Sequence, residues 1–370
     1  MKNGKIGIGF VGVGDISGIY LKNLTSTFRE VEIIGVCDLV RAKAEKAVET
    51  YGIPKIYEDM HELFADPDVD IVLNITRPYE HFEVTKAALL AGKHVYTEKP
   101  LATSREGMKH IMDVAEKCGK RVGCAPDSFM SSPMQAAKKA IEEGWIGEPI
   151  GVNAICAMRG NEFWRPDADF FYKKGAGPMM DMAPYYLNAF ISLLGPIESV
   201  QAMSKITWPE RTIKKEPRRG EKIRVEVPTY VSTVLKFENG AIATFVNAFD
   251  IFRTKVPHIE IYGEKGTLVL PDPNMYAGEV LMRRFWDPEW RPVTPFFEYT
   301  KYGRGIGIVD MIRCMDADKE HKANLDMAYH ATDVIIAMDE ASEAHHEIKI
   351  ASTAKKPEGL WEMPETILWK

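Results

Sequence analysis

The first third of the chain alternates short apolar runs with stretches of helical periodicity, and this alternation limits the possible folds more than any other feature. Apolar runs suited to strands occur at residues 5–12, 31–38, 56–57, 70–76, 94–97 and 121–124. Helical stretches lie between them, at residues 16–28, 41–51, 60–64, 81–91 and 104–118. Strands that alternate with helices predict a doubly wound parallel α/β sheet of the Rossmann type.

After about residue 124 the pattern changes to longer strand-forming runs. These runs lie at residues 150–158, 199–206, 230–237, 241–249 and 258–262, with helices predicted at 134–143, near 309–314 and at 325–344. Two of the runs flank Glu238-Asn239-Gly240, which predicts a hairpin because Asn-Gly accepts positive φ angles. We therefore expect two domains. Residues 1–124 form the parallel sheet, and residues 125–370 form an α+β domain with a large, mainly antiparallel open sheet, whose final helices pack back on the first domain.

One charged segment interrupts the strand-forming runs. Residues 210–222 carry many Lys, Arg and Glu side chains together with Pro217 and Gly220. This composition predicts a solvated loop between strands, and a basic patch that binds a partner is the alternative.

Composition excludes several classes of protein. The formal net charge of −6 disfavours a nucleic-acid partner. We find no apolar run long enough to span a membrane and no signal peptide. The five cysteines are scattered without a CxxC pair, which predicts free thiols and a cytoplasmic location. No metal-binding motif or serine-hydrolase elbow is present in the sequence, so we expect no metal site.

The strand-to-helix turn at Gly12-Val13-Gly14-Asp15-Ile16-Ser17 is the clearest binding motif. Gly12 permits the tight turn, Gly14 lets the backbone approach a pyrophosphate, and Ser17 keeps helix and strand close. The overlapping hexad that starts at Gly7 also matches GxGxxG, but it lies inside the first strand, where no pyrophosphate can reach. We expect a dinucleotide to be bound by the turn, through Gly12, Gly14, Asp15 and Ile16.

Asp38 follows the second strand, 21 residues after Ser17. A carboxylate there accepts the ribose hydroxyls of NAD and repels the 2′-phosphate of NADP. The alternative is a surface turn residue, and the nearby Arg41 could soften the discrimination. The sequence therefore favours NAD over NADP.

Glu98-Lys99-Pro100 follows the fifth predicted strand. Ligands of open α/β sheets bind at the carboxyl ends of strands, so this tripeptide is expected to face the ligand crevice. A lysine there could exchange a proton with a substrate hydroxyl while hydride moves to or from the nicotinamide. The alternative is an exposed salt bridge at a strand end.

Residues 70–102, DIVLNITRPYEHFEVTKAALLAGKHVYTEKPLA, resemble the Gfo/Idh/MocA family of oxidoreductases, which includes inositol 2-dehydrogenase and glucose–fructose oxidoreductase. The resemblance covers the first domain and continues to residues 175–185, GAGPMMDMAPY, which are similar to the family's glycine-rich GGG…D…H segment. It implies NAD as cofactor and a sugar, polyol or glycoside as substrate. It also implies a homodimer or homotetramer that uses one face of the open sheet.

The resemblance assigns roles to individual residues. Lys99 matches the catalytic lysine, and Asp181 matches an aspartate of the sugar site. The residues that match the nicotinamide side of the cofactor site are Thr76, His81, Trp164 and Arg165, and we include Glu98 in the same set.

The chain departs from the family at Tyr185, where many relatives have histidine. Asp181 and Tyr185 are four residues apart, so on a helix they share a face. We expect catalysis to involve Lys99, Asp181 and Tyr185, with either Lys99 or Tyr185 as the proton carrier. Core packing is the alternative for both Tyr185 and its neighbour, and further candidates for the substrate pocket are Tyr186, Asp127 and His330.

Three functions follow from these features. The first is an NAD-dependent dehydrogenase or reductase of a sugar, polyol or glycoside. The second keeps the fold but oxidises the C3 hydroxyl of a glycoside transiently, so that elimination cleaves the glycosidic bond with tightly bound, recycled NAD. The third is a non-enzymatic sensor that binds dinucleotide, against which the presence of Lys99 and Asp181 argues.

Overall fold

The computed structural model describes residues 5–28, 30–295 and 303–360. These residues divide into two compact units. The first takes in the described residues up to Ser131, residues 303–329 and Leu360, and the second takes in residues 132–295 and His330–Gly359. The boundary that the sequence suggests after residue 124 stays a prediction.

The helices and strands are numbered along the chain. The helices are α1 (Ser17–Ser26), α2 (Arg41–Tyr51), α3 (Met60–Ala65), α4 (His81–Leu90), α5 (Arg105–Cys118), α6 (Ser132–Glu142), α7 (Gly177–Leu194), α8 (Ile306–Asp316) and α9 (Leu325–Ala344). The strands are β1 (Ile6–Val11), β2 (Val31–Cys37), β3 (Ile71–Asn74), β4 (His94–Thr97), β5 (Val122–Cys124), β6 (Pro149–Ala157), β7 (Ile197–Lys205), β8 (Glu210–Thr212), β9 (Lys222–Arg224), β10 (Tyr230–Phe237), β11 (Ile242–Ala248), β12 (Ile259–Gly263), β13 (Gly266–Leu270), β14 (Leu281–Arg284), β15 (Arg291–Pro292) and β16 (Ile348–Lys349).

The first unit is built on a parallel sheet with the strand order β2-β1-β3-β4-β5. All six residues of β1 and all four of β3 are buried, as expected for strands covered by helices on both faces. The chain leaves β1 toward β2 on one side, whereas β3 lies on the other side. Ligands of such sheets bind beyond the carboxyl ends of the strands where the order reverses, which here are the ends of β1 and β3.

One predicted strand of this sheet is reduced to a single contact. Residue Ile56 pairs with Val36 through an isolated parallel bridge, and no longer ladder forms. Gly52 ends α2 in the left-handed conformation, and Asp59 caps α3 with its side chain. Because only six residues separate these two caps, the segment has no room for a full strand.

The second unit contains a nine-stranded sheet in the order β15-β14-β13-β12-β6-β11-β10-β7-β16. Only β6 and β11 are paired in parallel in this sheet, and the other neighbours are antiparallel. The predicted large, mainly antiparallel sheet is therefore confirmed. The predicted hairpin is confirmed as well, because β10 and β11 pair through a turn in which Gly240 has a φ of 89°.

One face of this sheet is covered by α7, whose eighteen residues are buried apart from Asp181. Aromatic rings fill the contact: Tyr186 and Phe190 of the helix pack against Phe245 and Phe237 of the sheet. The helix continues through Pro184. The burial of α7 leaves Asp181 as its one residue that is not buried.

The middle of the charged segment at residues 210–222 is an exposed loop between two short strands, as the sequence suggests: residues 214–217 and 219–221 are exposed. The ends of the segment form the two-stranded antiparallel sheet β8-β9, and Arg211 in β8 is only 5% exposed. The burial of Arg211 was not predicted, because the carboxylates that neutralise it lie 39 and 49 residues away in the chain. Local composition contains no sign of such distant partners.

Within the part of the chain that the structure describes, no helix combines the length and apolar character needed to cross a membrane.

Candidate functional site

The turn after β1 has the conformation and the open space that a dinucleotide requires. Gly12 has a φ of 90°, and a Cβ atom at this position would lie 2.7 Å from the Ile75 carbonyl oxygen. At Gly14, by contrast, an added Cβ atom would meet nothing within 4 Å. A side chain is therefore excluded at Gly12 by the protein itself, whereas at Gly14 the space above the backbone is free for a ligand.

Helix α1 begins directly after this turn. The Ser17 hydroxyl donates to the Gly14 carbonyl oxygen at 2.6 Å, and the Ser17 amide donates to the same oxygen at 3.1 Å. Asp15 and Ile16 are exposed at the start of the helix. These residues fit a pyrophosphate, because amide N–H groups at a helix N-terminus favour negative charge.

Asp38 follows β2 and is held by two backbone amides. Its Oδ2 accepts from Val13 N–H and its Oδ1 from Val40 N–H, both at 2.8 Å. Each carboxylate oxygen keeps further acceptor capacity, so the group can also accept hydroxyl donors. Arg41 forms ion pairs with Glu45 and Glu58, and these partners neutralise the charge that could have attracted a ribose phosphate.

The segments that follow β3 and β4 are joined by His81. Its ring is 1% exposed and lies between the carbonyl oxygens of Pro100, at 2.7 Å, and Thr76, at 3.0 Å. Burial lowers the pKa of His81 below its usual value. The Thr76 hydroxyl donates to Asn74 at 2.7 Å. His81 therefore sits beneath the site and fixes the peptide that follows Lys99.

Glu98 is bound by other residues of the first unit. It is 6% exposed, accepts from the Tyr20 hydroxyl at 2.9 Å and pairs with Arg304 at 3.1 Å. Burial opposes the charge of Glu98, but Arg304 and then Lys99 outweigh it and hold the pKa of Glu98 below its usual value. The amide of Lys99 donates to the second Glu98 oxygen at 3.1 Å, so the buried carboxylate orients the backbone of the half-buried lysine.

Asp127 is fully buried after β5. Its Oδ2 accepts from the amides of Gly305 and Gly307, at 3.1 and 2.9 Å, and so anchors the start of α8. The Arg304 carbonyl is held in turn by Asn23 of α1 at 2.8 Å. These two contacts give Asp127 the role of an anchor for α8. Its sequence-based role in substrate binding stays a prediction.

In the second unit, Asp181 and Tyr185 lie on one face of α7. Asp181 is half-buried, whereas Tyr185 is 5% exposed. The neighbouring Tyr186 is fully buried, with its hydroxyl 3.1 Å from the Ile155 carbonyl and 3.0 Å from His258 Nδ1. Burial raises the pKa of Tyr186 well above its usual value. Asp181 is therefore the residue of this helix that is accessible to a ligand, and Tyr186 has the contacts of a core residue.

Two other predicted residues have different surroundings. The His330 ring is fully buried: its Nε2 accepts from the Ile197 amide at 2.9 Å, and its Nδ1 lies 3.0 Å from the Ser352 hydroxyl. Trp164 is 46% exposed and follows the 3-10 turn Asn161–Phe163. Of these two side chains, only that of Trp164 is accessible to a ligand.

The structure adds two arginines to the predicted set. Arg304 neutralises Glu98 and Arg211 neutralises Glu162; the second pair is buried, and the Arg304 side chain is only 12% exposed. The pairs span 206 and 49 residues of chain. A buried arginine leaves no local pattern in the sequence, so no signal there could have revealed either pair.

Two family models match the chain. The model described as oxidoreductase family, NAD-binding Rossmann fold, matches residues 6–125, and the model of the GFO/IDH/MocA C-terminal domain matches residues 134–269. Together they span well over half of the chain.

Curated relatives include inositol dehydrogenases. The inositol 2-dehydrogenase/D-chiro-inositol 3-dehydrogenase of Lactiplantibacillus plantarum is 37% identical over 147 residues, which cover 39% of this chain and 41% of the relative. The inositol 2-dehydrogenase of Pseudomonas syringae pv. syringae is 29% identical over 274 residues, covering 72% of this chain and 74% of the relative. The match to the first of these relatives thus spans only about two fifths of its length.

Among solved structures, levoglucosan dehydrogenase in complex with NADH is similar to this chain, with a TM-score of 0.80. The similarity covers 94% of this chain and 100% of that chain, at 21% sequence identity. At this identity it shows a shared fold.

Proposed function

Because the chain belongs to the Gfo/Idh/MocA oxidoreductase family, whose N-terminal domain binds NAD, we propose that it is an NAD-dependent dehydrogenase of a sugar, polyol or glycoside hydroxyl. The observation that carries the proposal is the cofactor turn, where Gly14 opens toward free space and Asp38 is oriented by two amides. The names of the inositol and levoglucosan dehydrogenases support this class of substrate.

In this proposal the glycine turn and α1 hold the pyrophosphate, and Asp38 accepts the adenosine ribose hydroxyls. When bound, NAD would accept a hydride from the substrate carbon. We assign binding of the nicotinamide half of the cofactor to Thr76, His81, Glu98, Trp164 and Arg165, with His81 and Glu98 acting from buried positions.

Lys99 carries the proton. The amine of Lys99 takes the hydroxyl proton as the C–H bond breaks and returns it in the reverse direction. Asp181 accepts a hydrogen bond from a second substrate hydroxyl, and Tyr185 donates or accepts one beside it. We assign substrate binding rather than proton transfer to Tyr185, because this residue is nearly buried, with an exposed fraction of 5%.

The experiment is a screen of inositols, aldoses, anhydrosugars and aryl glycosides, in which NADH absorbance and product masses are followed. Formation of NADH in proportion to oxidised product is expected for at least one substrate. Absence of both signals across the screen would overturn the proposal. If glycoside is cleaved without added NAD, the transient C3 oxidation with recycled cofactor replaces net oxidation as the function.

We also infer a homodimer or homotetramer. The outer face of the nine-stranded sheet exposes apolar side chains, among them Met203 (78%), Val234 (46%) and Ile242 (53%). Such a face is typical of a surface that a second copy covers. Light scattering at micromolar concentration is expected to give a multiple of the 41.7 kDa chain mass, and a monomer mass would contradict the inference.

We also propose a cytoplasmic location. All five cysteines are free thiols, which is typical of proteins in a reducing compartment.

A further inference from the structure

The hairpin formed by β8 and β9 contacts the segment that carries Trp164 and Arg165. We propose that Arg211 of this hairpin is a positioning residue for the substrate: it fixes that segment without contacting the substrate itself. The inference rests on the proposed function, which places Trp164 and Arg165 on the nicotinamide side of the site.

Arg211 lies between two carboxylates. Its Nη1 donates to Glu162 Oε1 at 3.0 Å, and its Nη2 donates to Asp250. The side chains of all three residues are no more than 5% exposed. Thr229 donates to the other Asp250 oxygen at 2.8 Å. One guanidinium therefore ties Glu162 to the end of the central strands of the sheet.

Aromatic rings shield this charge from water. The Arg211 guanidinium lies 5.3 Å from the centroid of the Tyr172 ring and 4.8 Å from that of Trp208. Tyr172 is itself fully buried and donates to the second Glu162 oxygen. In such surroundings charge interactions are screened weakly, and removal of one partner leaves a buried charge without compensation.

The network leads to the proposed site in a few steps. The Tyr172 hydroxyl accepts from the Asn161 amide at 3.2 Å. The Asn161 carbonyl then accepts from the amides of Trp164 and Arg165, at 3.2 and 3.0 Å. The Lys214 amide of the hairpin donates to the Glu162 carbonyl at 2.8 Å. The backbone of residues 161–165 is thus held by side chains and by the hairpin rather than by a regular helix or strand of its own.

A second arginine of the hairpin extends this attachment. Arg218 donates to the Pro166 carbonyl at 3.0 Å and pairs with Asp169. The Glu226 amide donates to the Tyr172 carbonyl at 2.8 Å. The hairpin therefore contacts the segment from residue 162 to residue 172, and Arg211 is its buried attachment point.

Loss of Arg211 should affect substrate fit more than cofactor binding, because the glycine turn and Asp38 belong to the first unit. The variant Arg211→Met keeps the length of the side chain but removes both ion pairs. Lys222→Met is the matched control: Lys222 lies on the same hairpin and pairs at 2.9 Å with Glu210, and both side chains are more than half exposed.

The test measures KM and kcat at saturating NAD, the Kd of NADH, and amide hydrogen exchange over residues 161–172. We expect Arg211→Met to raise KM for the best substrate by about tenfold or more, a size typical of a misplaced binding group. Amide exchange should become faster in residues 161–172. The Kd of NADH should rise by a smaller factor than KM, about threefold or less, because the segment is assigned only to the nicotinamide half, and the glycine turn and Asp38 are unchanged. Lys222→Met should match the wild type in every measurement.

A second variant tests the inference if Arg211→Met does not fold. Glu162→Gln keeps a hydrogen-bonding side chain beside Tyr172, and Arg211 retains its pair with Asp250. The KM of Glu162→Gln should rise by a smaller factor than that of Arg211→Met, about threefold. Amide exchange should again become faster in residues 161–172. A wild-type KM and wild-type exchange in a folded Arg211→Met protein, or in Glu162→Gln if Arg211→Met does not fold, would overturn the inference.

The two proposals fail in different ways. If the wild-type chain oxidises no sugar or polyol, the proposed function fails, although the exchange measurement still tests whether Arg211 fixes residues 161–172. If the wild type is active and the variants keep its KM, the positioning role alone fails.

Discussion

The glycine turn of the first unit and the segment of residues 161–165 in the second unit are built in different ways. In the first unit, the cofactor turn depends on backbone conformation over a few residues, with Asp38 bonded to Val13 only 25 residues away. In the second unit, the segment that carries Trp164 depends on a buried arginine and on carboxylates from distant strands. Cofactor binding should therefore be sensitive to backbone changes at the turn. Substrate binding should instead be sensitive to side chains that lie outside the site.

The largest expected effect is a loss of kcat, without a loss of cofactor affinity, when Lys99 of the first unit is replaced. Lys99→Ala should lower kcat by about 100-fold or more, the usual span for loss of a general acid or base. The Kd of NADH should stay close to the wild-type value, because the turn and Asp38 are unchanged. Steady-state kinetics and calorimetry check the two parts, and a wild-type turnover rate in Lys99→Ala would contradict the mechanism.

The next effect is a dependence of stability on pH, caused by one buried histidine in each unit: His321 in the first and His330 in the second. Burial lowers the pKa of each to about 4. Each folded-state pKa lies below that of the unfolded chain, so the unfolded state binds more protons between about pH 6.5 and pH 4. The contribution of each buried neutral histidine to the free energy of unfolding is therefore fully present above about pH 6.5 and is lost as the pH falls toward 4.

His321→Gln keeps a donor for the Val122 carbonyl, which the ring contacts at 3.2 Å. At pH 5 the variant should escape about 2 kcal/mol of the acid destabilisation that the wild type suffers relative to pH 7. Urea unfolding at both pH values measures this difference. An unchanged pH dependence would show that His321 does not titrate as its burial implies.

A smaller effect tests the backbone claim at the glycine turn. In Gly12→Ala, the φ of 90° and the approach of the new Cβ atom to the Ile75 carbonyl strain the turn. We expect the Kd of NADH to rise about tenfold or more, since the amides that meet the pyrophosphate must shift. Gly52→Ala is the control, because Gly52 also has a positive φ of 66° but its added Cβ would meet nothing within 4 Å. That variant should lose some stability and keep the NADH affinity of the wild type.

The smallest effect concerns the second unit alone. Tyr185→Phe keeps the ring volume and removes one hydroxyl, so the fold should be preserved. If Tyr185 hydrogen-bonds substrate, kcat/KM should fall by an intermediate factor of about three to ten, which corresponds to one ordinary hydrogen bond. A loss as large as that of Lys99→Ala would make the phenol the proton carrier, and no change would leave Tyr185 a packing residue.

The sequence predicts the first unit in more detail than the second. The apolar runs, the glycine turn and the acid after β2 are local patterns, and the structure has strands and helices at those places, apart from the short strand at residues 56–57. The nine-stranded sheet and its Asn-Gly hairpin are also predicted, because alternation and turn chemistry are local as well.

Long-range pairing is what the sequence does not reveal. Arg211 stands in a segment of mixed charge that has the composition of a solvated loop, and only the fold brings Glu162 and Asp250 to it. Glu98 is similar: its place in the motif predicts a ligand contact, whereas its partners are Tyr20 and Arg304 from other parts of the chain.

The most direct test of the account is calorimetric titration of the wild-type protein with NADH and with NADPH under the same conditions. The proposed role of Asp38 is to accept hydrogen bonds from the ribose hydroxyls and to repel a 2′-phosphate. NADH should therefore bind at least about tenfold more tightly than NADPH, a difference of about 1.4 kcal/mol. Asp38→Ala should narrow that gap. Equal affinity for the two dinucleotides, or tighter binding of NADPH, would contradict the cofactor site described here.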